Sequence, residues 1–593
     1  MSDLDGSAHS AGEKKKKKKK TKKKKERGDV LLMNSNLDME RSKLFNIRST
    51  QHRGRSLFAS RLIEQGTLLF REEPIAMIAY VELCSNCLKK PAENNLLRDE
   101  SHPHCYYCSE DCMEAFRQQK NIELPIITNI DGIATKSSAD PLLLRMVIRI
   151  LSWQYTEAKK DGLDGSEHSH TKDDIFVDDG NFIVSKLKGF HLMESNLNLQ
   201  ADSWKESLLK AMELILPLLP SDANVSLEEL LRIAASVNTN AYSCQDVFSN
   251  NEVIGFGIYP FIGSTINHDC YPNCYYSYNN GKLECRAIRN VDNGEELTVT
   301  YIDPMDTYDN RKSMLVSTRF FDCLCGRCSG YINYCKPPVN NINMSNESDD
   351  DLFARLAQLS DTSISCGYPD ALFSGLYCSM CGPGGVMTCP VESPCSPFSC
   401  RQCKSSISNA SALMVLEESK ENLGIVLKET EMLIRTDPSK CATLMENWLK
   451  TYEGKAKSSS DFSSSNGSGS LVSYNLRKYN GVKLHPCHKL VAEAYIAYSI
   501  YLEKAGDMLR SVNTLRHGVE SIQLVLPENY PELNNLRYSL ACKIDKLLKC
   551  KGSTIPQKMK QSLNREKIEL TNRSIEGKLI AYGVDCMDYQ RSL

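Results

Sequence analysis

Cysteine spacing constrains this chain more than any other feature. Cys378-Ser379-Met380-Cys381 is followed, eighteen residues on, by Cys400-Arg401-Gln402-Cys403. Two Cys-x2-Cys knuckles at that separation are the pattern of a zinc ribbon, with Cys389 and Cys395 in the intervening loop as alternative donors. Two more tight sets occur: Cys84-x2-Cys87 with Cys108-x3-Cys112, and Cys323-x-Cys325-x2-Cys328. A disulfide framework for the 25 cysteines would need an oxidising compartment, and the N-terminus carries no apolar signal-peptide core. The clustered thiols therefore read as metal ligands. Isolated ones such as Cys441 and Cys542 read as small core residues.

At 593 residues the chain is too long for one core, and three to four domains are expected. Its net charge of -2 hides an uneven distribution, because eleven lysines lie between Lys14 and Lys25 and the remainder is acidic. Residues 1–30 are polar and low in complexity, so they are expected to be a disordered tail. Such a tail suits an import receptor or a nucleic acid, or solvates itself without a partner. No apolar run reaches the ~20 residues of a membrane span, so a soluble, intracellular protein is expected.

The centre of the chain reads Asn267-His268-Asp269-Cys270-Tyr271-Pro272-Asn273-Cys274, then Gly294-Glu295-Glu296-Leu297-Thr298-Val299-Thr300-Tyr301, then Cys323-Leu324-Cys325-Gly326-Arg327-Cys328. In this order the three runs resemble the core and post-SET parts of SET-domain methyltransferases, and most closely the SET and MYND domain (SMYD) family of protein lysine methyltransferases. Tyr107-Cys108-Ser109 resembles the signature of the MYND finger. That resemblance implies one structural zinc held by Cys84, Cys87, Cys108 and Cys112, and a reduced finger lacking the second zinc. It also implies that Cys270 joins Cys323, Cys325 and Cys328 at another zinc. The ribbon of Cys378, Cys381, Cys400 and Cys403 resembles the extra site of invertebrate-type members. About three zinc ions are expected.

The implied fold is α+β. The implied order is a disordered tail (1–30), the first part of a split β-rich SET domain (40–83), the finger (84–119), a helical insertion (120–236), the SET core (237–320), a post-SET segment with zinc sites (321–409) and an all-α, tetratricopeptide-like region (410–593). Helical periodicity supports helices over 142–155, 204–219, 412–434, 484–502, 508–526 and 531–548. An acidic linker is expected near 341–351 and a flexible Ser/Gly loop over 458–470. Pro531 is placed to open its helix. The helical region is expected to overhang the substrate cleft and to share partner contacts with the finger.

By the same resemblance the cofactor is S-adenosylmethionine. Its expected contacts are Arg53, Gly54 and Arg55 of the opening hairpin, His191 in Gly189-Phe190-His191-Leu192, Asn240 in Asn238-Thr239-Asn240-Ala241-Tyr242, Asn267, His268, and Phe321 stacked on adenine. Tyr301 is the implied catalytic residue, with its hydroxyl aimed at the transferring methyl. The chemistry is an SN2 displacement by a neutral lysine amine. Presenting a lysine of pKa ~10.4 in neutral form at pH 7 costs roughly 4–5 kcal/mol, so a dry, aligned channel matters more than a strong base. Three positions depart from the family pattern. Ser56 stands where a second glycine is usual, Asp269 where a serine is usual, and Arg319 where vertebrate-type members carry a channel tyrosine. Arg319 either repels a charged lysine or turns outward and widens the channel. The expected activity is S-adenosylmethionine-dependent methylation of lysines on histone or non-histone proteins, by a monomer of nucleus and cytoplasm. The alternative is a catalytically weak or inactive SET/MYND adaptor acting through protein contacts.

Overall fold

The structure is a computed structural model that describes residues 31–32, 44–80, 83–87, 97–99, 102–119, 123–163, 176–178, 182–183, 186–246, 252–279, 282–336, 367–454, 481–551 and 555–584. The lysine-rich run, the acidic stretch 341–351 and the Ser/Gly run 458–470 lie outside them.

Short, alternating strands build three small sheets in the SET region. The opening hairpin pairs Phe45–Thr50 with Gly54–Ala59, and its second strand also pairs with Glu296–Val299. Glu296–Val299 in turn lies parallel to Asn267–His268, with Asn267 opposite Thr298 and His268 opposite Val299. This four-stranded sheet is what sets the Asn-His motif beside the Glu-Leu-Thr-Val motif. A second sheet orders Cys274–Asn279, Lys282–Ala287 and Leu68–Glu72, and a third orders Tyr242–Asp246, Glu252–Ile258 and Ala76–Ala79. Their inner faces bury Leu57, Leu69, Tyr259, Phe261, Leu297 and Val299 in one core. Glu72, itself buried, accepts hydrogen bonds from the backbone N–H groups of Phe261 and Gly263, both at 2.8 Å. Those bonds satisfy donors that the tight turn before Asn267 would otherwise orphan.

The insertion is helical: Ile130–Ser137, Pro141–Leu163, Asp202–Ile215 and Leu227–Asn240 surround one apolar cluster, which also takes in Cys84, Tyr107 and Phe116 of the finger. The expected helix over 204–219 stops early. Its last turn becomes the 3-10 segment Leu216–Leu218, because Pro217 has no N–H to continue the α ladder. Arg149 fastens the insertion to the SET sheet. Its buried guanidinium pairs with Glu123 and donates to the carbonyl of Met77.

Beyond residue 408 the described chain is mainly helical: Asn409–Leu433, Pro438–Tyr452, Lys489–Lys504, Met508–Ile522, Pro531–Lys551 and Gln557–Tyr582. Periodicity places one of these too early. Leu484 forms bridges with Leu376 and Glu453 instead, and the helix starts only after His488 caps it. Helix Pro438–Tyr452 is not among the expected ones, although Asp437 at its N-cap and Pro438 in its first turn are a start signal. These helices are not a detached array. Val512, Leu533, Ile580 and Tyr582 share one apolar cluster with Tyr275, Ile288 and Tyr308 of the SET region and with Cys325 and Cys328. None of the described helices is long and apolar enough to cross a membrane.

Candidate active site and zinc centres

Twelve cysteines gather into three groups: Cys84/Cys87/Cys108/Cys112, Cys270/Cys323/Cys325/Cys328 and Cys378/Cys381/Cys400/Cys403. Within each group the Sγ atoms all lie within 4.8 Å of one another. A tetrahedral zinc with Zn–S bonds near ~2.3 Å would hold sulfurs about 3.8 Å apart. Observed separations are 3.6 Å for Cys87–Cys108 and for Cys108–Cys112, 3.5 Å for Cys270–Cys328, 4.0 Å for Cys270–Cys323 and 3.8 Å for Cys381–Cys400. The donor sets therefore fit zinc in size, count and chemistry, and these are three zinc-binding groups of four thiols each. Cys389 stays out of the ribbon and bonds the Ser396 carbonyl, and Cys395 is exposed.

The central zinc group reaches directly into the SET sheet through His268. Tyr301 N–H donates to His268 Nδ1 at 3.0 Å, which leaves the ring proton on Nε2, 3.2 Å from the sulfur of Cys270. Asp269, next along, accepts from the N–H of Tyr271 in a tight turn. Behind the same group, Asp370 bridges Arg311 and Arg327 with four contacts of 2.6–3.1 Å, all three side chains buried. Burial alone would push the Asp370 carboxyl up, but the two guanidiniums hold it down at about 2. Arg327 also donates to the carbonyls of Cys270 and Pro304, tying helix Gly326–Cys335 to the segment that carries Cys270.

Asn267 is committed to the opening hairpin. Its Nδ2 donates to Ser56 Oγ at 2.7 Å and to Glu296 Oε1 at 2.9 Å. Ser56 is fully buried, so the side chain standing in place of a glycine is used as an acceptor inside the sheet. Arg53 pairs with Glu296 and donates to the carbonyl of His268. Arg55 donates to Leu192 O, beside His191, and Asn240 donates to Glu194 O. His191 Nδ1 accepts from Arg232 at 2.8 Å, and burial followed by the Arg232 charge lowers its pKa. Hydrogen bonds thus tie Arg53, Arg55, Asn267 and His268 to one another, and Arg55 and Asn240 each bond the segment 192–194 that follows His191, so these residues form one rim with Gly54 between Arg53 and Arg55. Phe321 closes it: its ring lies 6.1 Å from that of His268 and is 37% exposed.

Below the rim is a cavity of about 70 Å³ walled by Tyr242, Tyr276, Tyr301, Ser264 and Arg319. The Tyr301 hydroxyl donates to Ile266 O at 2.6 Å, and Tyr242 donates to Gly263 O at 2.6 Å. Burial pushes Tyr301 up to about 12, against the pull of Arg319 and Arg53. Arg319 turns inward. Its guanidinium donates to the carbonyls of Thr239 and Ala241 and lies 5.4 Å from the centre of the Tyr301 ring. Phe320 adopts φ 62, a left-handed value costly for a bulky residue, and this turn lets Arg319 face the cavity while Phe321 faces His268.

A family model for the SET domain matches residues 54–302. Across 289 residues the chain is 26% identical to human histone-lysine N-methyltransferase SMYD3, covering 47% of this chain and 60% of that protein. It is 25% identical to human histone-lysine N-methyltransferase SMYD1, covering 49% and 56%, and 25% identical to the Drosophila melanogaster SET domain-containing protein SmydA-8, isoform A, covering 48% and 56%. Over residues 54–302 the chain is thus similar to SET domains. Its match spans 56–60% of the length of these relatives.

Several features of the site are not assigned from sequence. Glu296, the shared acceptor of Asn267 and Arg53, sits inside a recognised run that by itself names no partner. Asn273 accepts from Thr298 N–H and donates to Glu296 O, so the two runs are stitched by their own side chains. Tyr276 enters the cavity through strand pairing alone, and no local spacing marks it.

Proposed function

We propose that the chain is an S-adenosylmethionine-dependent protein-lysine N-methyltransferase. The observation that carries this reading is the continuity of rim and cavity: Asn267 and His268 stand at the rim, and Tyr301, whose N–H bonds His268, places its hydroxyl at the cavity wall. Gly54 and Phe321 fit a bound cofactor. Gly54 has φ +64 and open space where a side chain would stand, and the Phe321 ring presents an exposed apolar face opposite His268. When bound, the cofactor supplies an electrophilic methyl on a sulfonium. The residues do the rest. Phe321 would cover the adenine, Asn267 and Arg53 fix the hairpin that flanks the rim, and the cavity would exclude water from the acceptor amine. The Tyr301 hydroxyl orients that amine in line with the methyl.

Zinc at the three thiol groups would be structural, about three ions per chain, and the central one would hold His268 and Phe321 in register. Two of the relatives named above are called histone-lysine methyltransferases. Histone or non-histone lysines are the proposed substrates here, met by a monomer in nucleus and cytoplasm. The finger and the helical region supply further protein contacts, and the lysine run supplies an import-receptor or nucleic-acid contact.

Calorimetry on the zinc-loaded chain tests the reading. S-adenosylmethionine should bind, and Phe321→Ala should abolish binding. Tyr301→Phe should leave binding nearly intact while cutting turnover, because its hydroxyl acts mainly in the transition state. Well-folded protein that binds no cofactor would refute the methyltransferase reading. One observation favours a second reading, a SET/MYND adaptor: Arg319 takes up cavity wall that an acceptor would otherwise use. Cofactor binding without turnover on any lysine protein would support it.

A further inference from the structure

Arg319 brings a fixed positive charge into the cavity, and its anchoring explains why it stays there. Thr239 and Ala241, whose carbonyls it bonds, lie at the C-terminal end of helix Leu227–Asn240. That end carries unsatisfied carbonyls and the negative pole of the helix dipole, so a guanidinium is favoured there. The same group lies over the Tyr301 ring at 5.4 Å. It thereby occupies a ring face on which an incoming ammonium would otherwise gain cation–π attraction.

Among the described residues, no carboxylate lines the cavity to offset this charge. The tyrosines in its wall are Tyr242, Tyr276 and Tyr301, and burial raises all three. Beyond the wall, Glu296 and Arg53 act on Tyr301 but are paired with each other, Cys285 acts on Tyr242, and Cys244 and Glu532 act on Tyr276. A second cation in this space would meet Arg319 as a like charge in a low-dielectric setting.

We propose that Arg319 is a specificity-determining residue that admits the acceptor amine only in its neutral form and expels the methylated product after a single transfer. This rests on the methyltransferase reading above. In the transfer, the amine lone pair forms the N–C bond while the S–C electron pair returns to sulfur. Positive charge passes from sulfur to nitrogen, and the product is a methylammonium that keeps both of its protons. It now faces Arg319 as a cation and leaves before a second transfer. Repulsion does not lower the cost of deprotonating a lysine in water. It removes the unproductive ammonium complex.

Two measurements on the full-length, zinc-loaded chain test this. The first needs no turnover: n-butylamine, a mimic of the lysine side chain, is titrated between about pH 7 and 10 in the presence of S-adenosylhomocysteine. Apparent affinity for the native chain should climb about tenfold per pH unit toward the amine pKa, since only the neutral form enters. In Arg319→Gln the climb should be shallower, and affinity at about pH 7 at least about tenfold higher. Superimposable profiles would overturn the proposal. The second uses a degenerate peptide library with one lysine per peptide, read by mass spectrometry. The native chain should add one methyl only, and Arg319→Gln should accumulate dimethyl product. Dimethylation by the native chain would also overturn it. If neither protein methylates the library while cofactor binding is intact, the methyltransferase reading fails, and the butylamine titration still decides the role of Arg319.

Discussion

Glu296 does more at the rim than its place in a motif suggests. It accepts from Asn267 and pairs with Arg53, so one carboxylate fixes two residues of the proposed cofactor rim. Its pair with Arg53 is partly solvated, and such pairs add only ~0–1 kcal/mol to stability. Glu296→Ala should therefore leave the unfolding midpoint almost unchanged while weakening S-adenosylmethionine by about tenfold, about 1.4 kcal/mol. Calorimetry and a thermal melt on the same preparation check both halves. His488 offers a second test, through pH. It is buried, its Nδ1 accepts from Leu490 N–H, and burial with its neighbours His485 and Lys489 pushes it down to about 3. The folded value lies below the unfolded one near ~6.5, so the unfolded chain takes up more protons between them. Stability from this group is complete above about pH 6.5 and is lost as pH falls toward about 3. At about pH 5 the loss is up to about 2 kcal/mol. Asn also caps helices but does not titrate, so His488→Asn should show a smaller fall in melting temperature from about pH 7 to 5 than the native chain. Equal falls would mean that His488 charges in the folded state. At this scale the motifs are readable because their ligands are close in sequence. The destination of Arg319 is not, since its partner carbonyl lies 80 residues upstream and is chosen by tertiary packing.

Among elements, the decisive join is between helices Tyr308–Thr318 and Gly326–Cys335, which flank the turn bearing Arg319 and Phe321. Asp370, on the short helix Tyr368–Ser374, accepts from one arginine of each. Removing the carboxylate would leave two guanidiniums buried without their counter-charge, which costs roughly 3–5 kcal/mol. Asp370→Ala should lower the urea midpoint accordingly and should also weaken cofactor binding, because Phe321 follows directly from the first helix. A variant as stable as the native chain would show that the cluster is hydrated in solution. Helices with clear periodicity, such as Met508–Ile522, are legible in the sequence. Gln557–Tyr582 is not. It buries Ser574, Gly577 and Ala581 along a mostly polar sequence, and so carries almost no apolar stripe to read.

For the whole molecule, the unexpected result is that the helical region and the SET region share a core. Tyr275 packs edge-on against both Tyr530 and Tyr582, at 5.4 and 5.8 Å between ring centres, and Ile580 packs on Gly66. Composition and spacing separate these regions because each has its own sequence pattern. Only three-dimensional packing tells that neither buries its apolar face alone. Deleting residues 557–593 would strip Tyr582 from the face of Tyr275. The truncated chain should aggregate or melt well below the native one and lose cofactor binding, as differential scanning calorimetry with a binding titration would reveal. A stable truncated protein with native cofactor affinity would argue that the last helix is an ornament.

Asn529 bonds Gln65, 464 residues earlier, and the last helix touches the turn beside it. At synthesis rates of about 5–20 residues per second, the turn bearing Gln65 waits roughly half a minute to a minute and a half on the ribosome before that contact can form. During the wait, the apolar face around Tyr275 that the last helices cover stands open to other chains. Chaperone demand in the cell should therefore track the translation of the last helices rather than the completion of the SET motifs.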